Sequence, residues 1–559
     1  VLAFAITASQ GGLGAACVVY VDRDAAGQNN GTSWGDAYTD LQDALDWARD
    51  SGECSCQIWA AAGTYKPDRG TGDRYAAFEL VSGVEVYGGF NGSESSVLDR
   101  DPILNSTILN GDLNGDDDPN AVPVSNCCTL HSPPYCYDDA CEAAVVAVHA
   151  QCSVIWTNYC QQLAITLCPE LCTPTRQDNS HAVIRAKDLD LKADLDGFTI
   201  ANGSGNCPGI WAECGGVVVE SSMLTARRCV FTRSSGWFGS AMISHGNALH
   251  LDECVFHNQQ PFTPDHGFAA SLRILGGTAA VTRCVFVDNH GDGIRVDSND
   301  PASIEHDTFM GDGVSLSGSV AVRDCVFERH AGEGLSGALR NYQAATVARC
   351  RFVGNRTTSG GAGFFNDGAA TLTNCVFIGN EALAGTSFGT GGAISNRGTA
   401  NLYNCTLFDN SAGTFGGGIH NSGHISLNNC ILWNNHTFLE GYSERAQFSN
   451  GDVATSEFYY NDVQGWTGQL GGEGNIDFDP LFIDPDGPDG IPTIIDDNVR
   501  LSPQSPLINA GDPDPQAFPS STATITLASS ATASTSARMS SALAISTAIA
   551  SSTCRTFAI

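Results

Sequence analysis

A Cys-x-Phe tripeptide recurs down the middle of this chain. It reads Cys229-Val-Phe231, Cys254-Val-Phe256, Cys284-Val-Phe286, Cys325-Val-Phe327, Cys350-Arg-Phe352 and Cys375-Val-Phe377, with softer copies at Cys405-Thr-Leu407 and Cys430-Ile-Leu432. From Cys325 to Cys430 the cysteines are spaced 25, 25, 30 and 25 residues apart. Short apolar runs at such a period, punctuated by Gly and Asn, mark a solenoid. Each unit of a solenoid buries its apolar face only against its neighbours.

In a strand the first and third positions of the tripeptide share one side and the second takes the other. Cysteine and phenylalanine therefore face inward, and the middle residue faces out. Arg351 at a middle position is expected in solvent. Asn289, Asn355, Asn380, Asn410 and Asn435 stand five residues after their cysteines, and Asn258 stands four after. Asparagine tolerates left-handed backbone, and amides stacked at one corner of successive coils can hydrogen-bond into a ladder. A second unit lies upstream: Gly360-Gly-Ala-Gly363, Gly391-Gly-Ala-Ile394 and Gly416-Gly-Gly-Ile419, followed by Asn366, Asn396 and Asn421. Paired glycines permit a tight corner, after which Ile394 and Ile419 begin an inward-facing strand. Three short strands and three turns then make one coil of a parallel β-helix, with coils stacked about 4.8 Å apart. The cysteine column reads as small buried hydrophobes, because no CxxC or paired His accompanies it.

The runs Gly391 to Ile394, Phe286 to Asn289, Phe352 to Asn355 and Phe377 to Asn380 resemble the repeats of chlamydial polymorphic outer-membrane proteins. Tyr20-Val-Asp22, Asn30-Gly-Thr-Ser-Trp34, Leu41-Gln-Asp-Ala-Leu45, Ala61-Ala-Gly-Thr-Tyr65 and Tyr87-Gly-Gly-Phe90 are similar to a group of secreted bacterial right-handed β-helix proteins of the pectin-lyase-like superfamily. So are Asp479-Pro-Leu-Phe482 and Ser505-Pro-Leu-Ile-Asn-Ala-Gly511. The resemblance spans residues 18–515 apart from a mid-chain insert. It implies an all-β, right-handed parallel β-helix, and surface display, adhesion or carbohydrate-related work. A fold alone does not fix function.

A net charge of −34 opposes binding to nucleic acid or to an anionic membrane surface. It suits a secreted acidic protein that takes up Ca²⁺. Lysine is confined to Lys66, Lys187 and Lys192, and no stretch is apolar enough to span a bilayer. Residues 1–17 read as the end of a secretory signal, with Gly14-Ala15-Ala16 as a cleavage site. Cys17 raises a lipoprotein reading, weakened by Gly14 where a Leu is needed.

Residues 18–111 read as an N-terminal cap and first coils. A helix is expected near Tyr38 to Arg49, with Leu41, Ala44, Leu45 and Ala48 inward and Thr39 or Asp40 as cap. Strands are expected at Gln57–Ala61, at Val84–Tyr87 and, as one strand, over Leu195–Ile200. Residues 112–185 form an insertion carrying Cys127, Cys128, Cys136, Cys141, Cys152, Cys160, Cys168 and Cys172, which reads as disulfide-stapled. Residues 186–480 hold the repeats and 481–517 an acidic cap. From 518 to 559 the chain turns to Ser, Thr and Ala, which reads as a frameshifted tail without a packed core.

Chemistry is less legible. A pectate lyase needs an outward Arg and Ca²⁺-binding Asp on one sheet, and Arg295 with Asp297 is such a pair. Polygalacturonase-like acid–base work needs paired carboxylates; Asp265-His266-Gly267 and Arg273-Ile-Leu275 depart from the motifs of those enzymes. His266, His290 and Asp292 are the catalytic candidates, with solvated turn residues as the competing reading. Ca²⁺ ligands are hard oxygens. Asp112-Leu-Asn114-Gly-Asp116 begins like a calcium loop, and Asp484, Asp486, Asp489, Asp496 and Asp497 form the stronger group. Solvated turn residues are the competing reading of that acidic group; no cofactor is required, and structural Ca²⁺ is the candidate. The sequence favours a non-catalytic, adhesin-like or glycan-binding surface protein whose partner is a polysaccharide or cell-surface ligand. The alternative is a lyase or hydrolase of acidic polysaccharides.

Overall fold

In the computed structural model, the described residues are 17–51, 56–115, 117, 139–149, 152, 160, 163, 167, 178–204, 215–236, 239–261, 270–289, 291–332, 337–383, 389–438, 441–488 and 497–512. The signal reading of residues 1–16, the insertion cysteines Cys127, Cys128, Cys136, Cys168 and Cys172, and the 518–559 tail lie outside them. Among the described residues the chain winds as a right-handed parallel β-helix. Its strands sort into three long sheets of 14, 13 and 12 strands, in which every neighbour is one coil away. A representative coil runs from Ala369–Thr373 in the 14-strand sheet, through Val376–Ile378 in the 13-strand sheet, to Ile394–Asn396 in the 12-strand sheet. Parallel strands need crossovers of one hand, and the right hand is the one that twisted strands favour.

The interior repeats with the sequence. Phe231, Phe256, Phe286, Phe309, Phe327, Phe352 and Phe377 stack ring on ring, with centroids 4.5–5.0 Å apart and planes within 12°. Each aromatic pair adds roughly 0.5–1.5 kcal/mol beyond its buried area. Beside that stack run eight free, buried cysteines from Cys229 to Cys430. Their thiols donate to the carbonyl two residues earlier, as Cys350 Sγ does to Ala348 O at 3.4 Å. One coil breaks the column: Asp307 takes the cysteine's place.

The corners correct one expectation. The ladder asparagines are not the left-handed residues. Left-handed backbone falls on the residue just before each cysteine, including Arg228, Glu253, Arg283, Asp324, Arg349 and Asn374 at φ 49–56°. It falls again four residues after the cysteine, at Asn258, Asp288, Arg329, Gly354 and Gly379. For a non-glycine this conformation costs about 1–2 kcal/mol, and cross-coil ion pairs offset part of it. Arg349, for example, reaches both carboxylate oxygens of Asp324 at 2.7 and 2.6 Å. Asn258 therefore makes the corner, and Gln259 fills the ladder position, its Oε1 accepting from Ser234 N at 3.1 Å.

At the N-terminal end, helix α1 spans Leu41–Ser51 and buries Leu41, Ala44, Leu45 and Ala48 in the common core. Asp40 caps it, accepting from Gln42 N at 2.8 Å. Strands form at Gln57–Ala61 and Glu85–Phe90. The segment expected as one strand over 195–200 is two, Ala193–Asp196 and Phe198–Ala201, because Gly197 turns the corner at φ 80°. Cys17 is disulfide-bonded to Cys56, which consumes the thiol a lipid anchor would need. In the insertion, Cys152 is bonded to Cys160, and Cys141 is also in a disulfide.

Arg351 is a second correction. Its side chain does point away from the coil, but the returning C-terminal segment covers it, and its guanidinium donates to Asp497 O at 3.3 Å. Burial pushes its pKa down. No helix among the described residues is long and apolar enough to cross a membrane.

Candidate functional site

Each short strand of the 12-strand sheet holds one side chain outward between two inward ones. In-register pairing aligns these outward residues into a single row: Ile243, Arg273, Arg295, Ser315, Arg340, Phe365, Ser395 and His420. From Arg273 to His420 the row crosses six coil steps, or about 29 Å at one interstrand spacing each.

The first half of the row is ionic. Arg273 contacts Asp297 at 2.8 Å and Arg295 contacts the same carboxylate at 3.0 Å. Arg340 pairs with Asp292. These side chains are only 13–22 % exposed, so the ion pairs sit in a partly desolvated setting where charge interactions are strong. Three guanidinium groups face two carboxylates, which leaves a local excess of positive charge on a very acidic protein. Arg340 Nε is buried and has no hydrogen-bond acceptor. An unsatisfied buried donor is costly.

The second half is aromatic and basic. Tyr342 leans on Phe365 with centroids 6.2 Å apart, and Arg397 lies 5.1 Å over the Phe365 ring. Two coils beyond Phe365, Phe415 stacks on His420 at 6.3 Å with Arg445 5.3 Å over Phe415. Burial and then the Arg397 charge lower the His420 pKa, so its ring is neutral at pH 7. Its Nε2 lies 3.2 Å from Ser422 Oγ, and its Nδ1 has no partner.

Of the sequence candidates, the structure gathers Asp292, Arg295 and Asp297 in this row. His266 and His290 lie outside the described residues. Beneath Asp292 lies Asp312, whose carboxyl burial raises to about 8. Both its oxygens hold Asn289, at 3.0 Å to N and 2.6 Å to Nδ2, and it is fully buried. Sequence reasoning missed Arg340, Tyr342, Phe365, Arg397 and His420. The signal was available: an apolar-x-Asn triplet repeats at Leu339-Arg340-Asn341, Phe364-Phe365-Asn366, Ile394-Ser395-Asn396 and Ile419-His420-Asn421, and its middle residue is the outward one.

The acidic group splits. Asp484 ends a strand, Phe482–Asp484, that pairs antiparallel with Asn498–Leu501. Asp486 follows in the turn, near enough to Asp409 to help raise its pKa. Asp497 is buried beside Arg351. Asp489 and Asp496 lie outside the described residues. Among the described residues no three His, Cys, Asp or Glu side chains converge as a metal site would.

The family model described as "Right handed beta helix region" matches residues 212–377. That stretch contains the whole ionic half of the row. No curated protein matches the chain, and no solved structure does.

Proposed function

We propose that this β-helix protein is exported and binds an extended acidic glycan along the outer row of the 12-strand sheet, without transforming it. The observation that carries the reading is the guanidinium row: Arg340, anchored by Asp292, stands in register with Arg273 and Arg295. Guanidinium forks recognise carboxylates with fixed geometry; Phe365 is buried under Tyr342 and Arg397, and the aromatic side chain open to a sugar ring is Tyr342, 40 % exposed. A repeating row at coil spacing fits a repeating chain. The position of Asp312 also favours binding over acid–base chemistry: its raised pKa would suit a proton donor, but the group is sealed in the interior.

The test is retention of the full chain in affinity gels containing polygalacturonate or alginate, run beside a screen for unsaturated uronates and reducing ends. Arg340→Lys keeps the charge beside Asp292 and removes the guanidinium fork. We expect retention by wild type, at least about tenfold weaker retention by Arg340→Lys, and no release of product. Release of unsaturated uronate or of reducing ends would replace binding by lyase or hydrolase action. Equal retention of wild type and Arg340→Lys would dismiss this row as the binding face.

A further inference from the structure

The outward residues of the 13-strand sheet are apolar where one would expect solvent. Val353, Ile378 and Phe408 point away from the coils and are at most 5 % exposed. The segment that begins at Ile476 turns back onto this sheet beside Phe408. It pairs with the last coil through an Asp462–Ile476 bridge and sets Phe482 edge-on against Phe408 with centroids 5.4 Å apart. It reaches Arg351 through Asp497 O and ends where Asp512 N donates to Asn429 Oδ1 at 2.9 Å.

This segment is poorly matched in charge to its seat. Residues 476–512 carry eight aspartates and one base, Arg500, on a body that is itself acidic. At two points carboxylate meets carboxylate. Asp462, 4 % exposed, faces Asp477 and Asp479 of the segment. One of its oxygens accepts from Phe478 N at 3.0 Å, and the other is buried with no partner. Asp409 faces Asp486, and on its other side accepts from Asn434 Nδ2 at 2.8 Å. The segment's own base, Arg500, lies instead by Arg351 and Asp497.

We propose that residues 476–488 are a detachable strap, seated by Phe482 against Phe408 and released when Asp462 ionises. Burial, with Asp477 and Asp479, pushes Asp462 up to about 7. That value is raised above the free carboxyl near 3.9. Its contribution to seating is therefore fully present below about pH 4 and is lost as pH rises through 7. Release bares Phe408.

The experiment is hydrogen exchange on the full chain at pH 5 and pH 8, in EGTA so that no divalent cation replaces the proton. Protection is read after division by the intrinsic rate at each pH. We expect protection of 476–488 to fall at least about tenfold at pH 8, while the strands of the 14-strand sheet keep theirs. Asp462→Asn should hold the strap at both pH values. Phe482→Ala should loosen it at both, which shows that the readout follows seating. Equal protection of wild type at the two pH values, or a pH response that survives in Asp462→Asn, overturns the proposal.

Discussion

Asn355 donates from Nδ2 to Oδ1 of Asn380, one coil further on, at 2.8 Å, and the same oxygen accepts the backbone N–H of Asn355 at 3.1 Å. The second hydrogen of that amide goes to Phe327 O at 3.0 Å. Asn380, Asn410 and Asn435 repeat the arrangement, and Gln447 closes it. A second ladder runs through Asn341, Asn366, Asn396, Asn421 and Asn450 with links of 2.7–2.8 Å. Interior amides are thus tied to the corners on two edges of the solenoid.

Asn380→Leu removes an acceptor of two bonds from Asn355 and a donor to Phe352 O. Buried groups left without partners cost about 1–3 kcal/mol each. We expect a loss of about 3–5 kcal/mol, read as a lower denaturant midpoint. Asn380→Gln, which keeps the chemistry but lengthens the arm, should also destabilise, because the coil spacing is fixed by the sheets.

Asp307 sits where the column has cysteine. Its Oδ1 accepts from Cys284 N at 2.5 Å, and Oδ2 is buried without a partner. Burial raises its pKa well above the ordinary carboxyl range. A raised folded-state value means stability that is full below the unfolded pKa and is lost as pH rises through the folded one. Asp307→Cys restores the column and removes the charge to be buried. The substitution should stabilise the protein more at pH 8 than at pH 5, in denaturation series at both. A benefit that is the same at both would show that Asp307 is not held protonated.

The repeat made the fold legible because one coil's chemistry is every coil's chemistry. Cys350 to Phe352 and Gly391 to Ile394 already place inward and outward positions. The site was only half legible. Arg295 and Asp297 were visible as an outward pair, but Arg340 and His420 gain their meaning from register across coils of 18 to 30 residues. The covering of Arg351 depends on a segment almost 150 residues away, for which no local pattern exists. The apolar outward run Val353, Ile378 and Phe408 was the available hint that something returns to cover that sheet.

The eight column thiols should be silent in the native protein. All eight are buried, out of reach of a reagent that needs an accessible thiolate. Peptide mapping after treatment with a maleimide at pH 7.5 should find no label on Cys229, Cys254, Cys284, Cys325, Cys350, Cys375, Cys405 or Cys430. All eight should label in denaturant. Native labelling confined to Cys430 would instead report opening at the C-terminal coil.

Arg340 and Asp292 are each 13 % exposed and pair with one another. Breaking a buried pair from one side leaves a desolvated charge and typically costs about 3–5 kcal/mol, whereas replacing both partners is often nearly neutral. Arg340→Met alone should therefore destabilise by that order, and Arg340→Met with Asp292→Asn should recover most of the loss. The double-mutant cycle isolates the pair's coupling. Binding provides the contrast: the double variant should fold and still fail to retain polygalacturonate, because the guanidinium is gone. A doubly substituted protein that folds and retains the glycan as well as wild type would mean that Arg340 serves the fold alone.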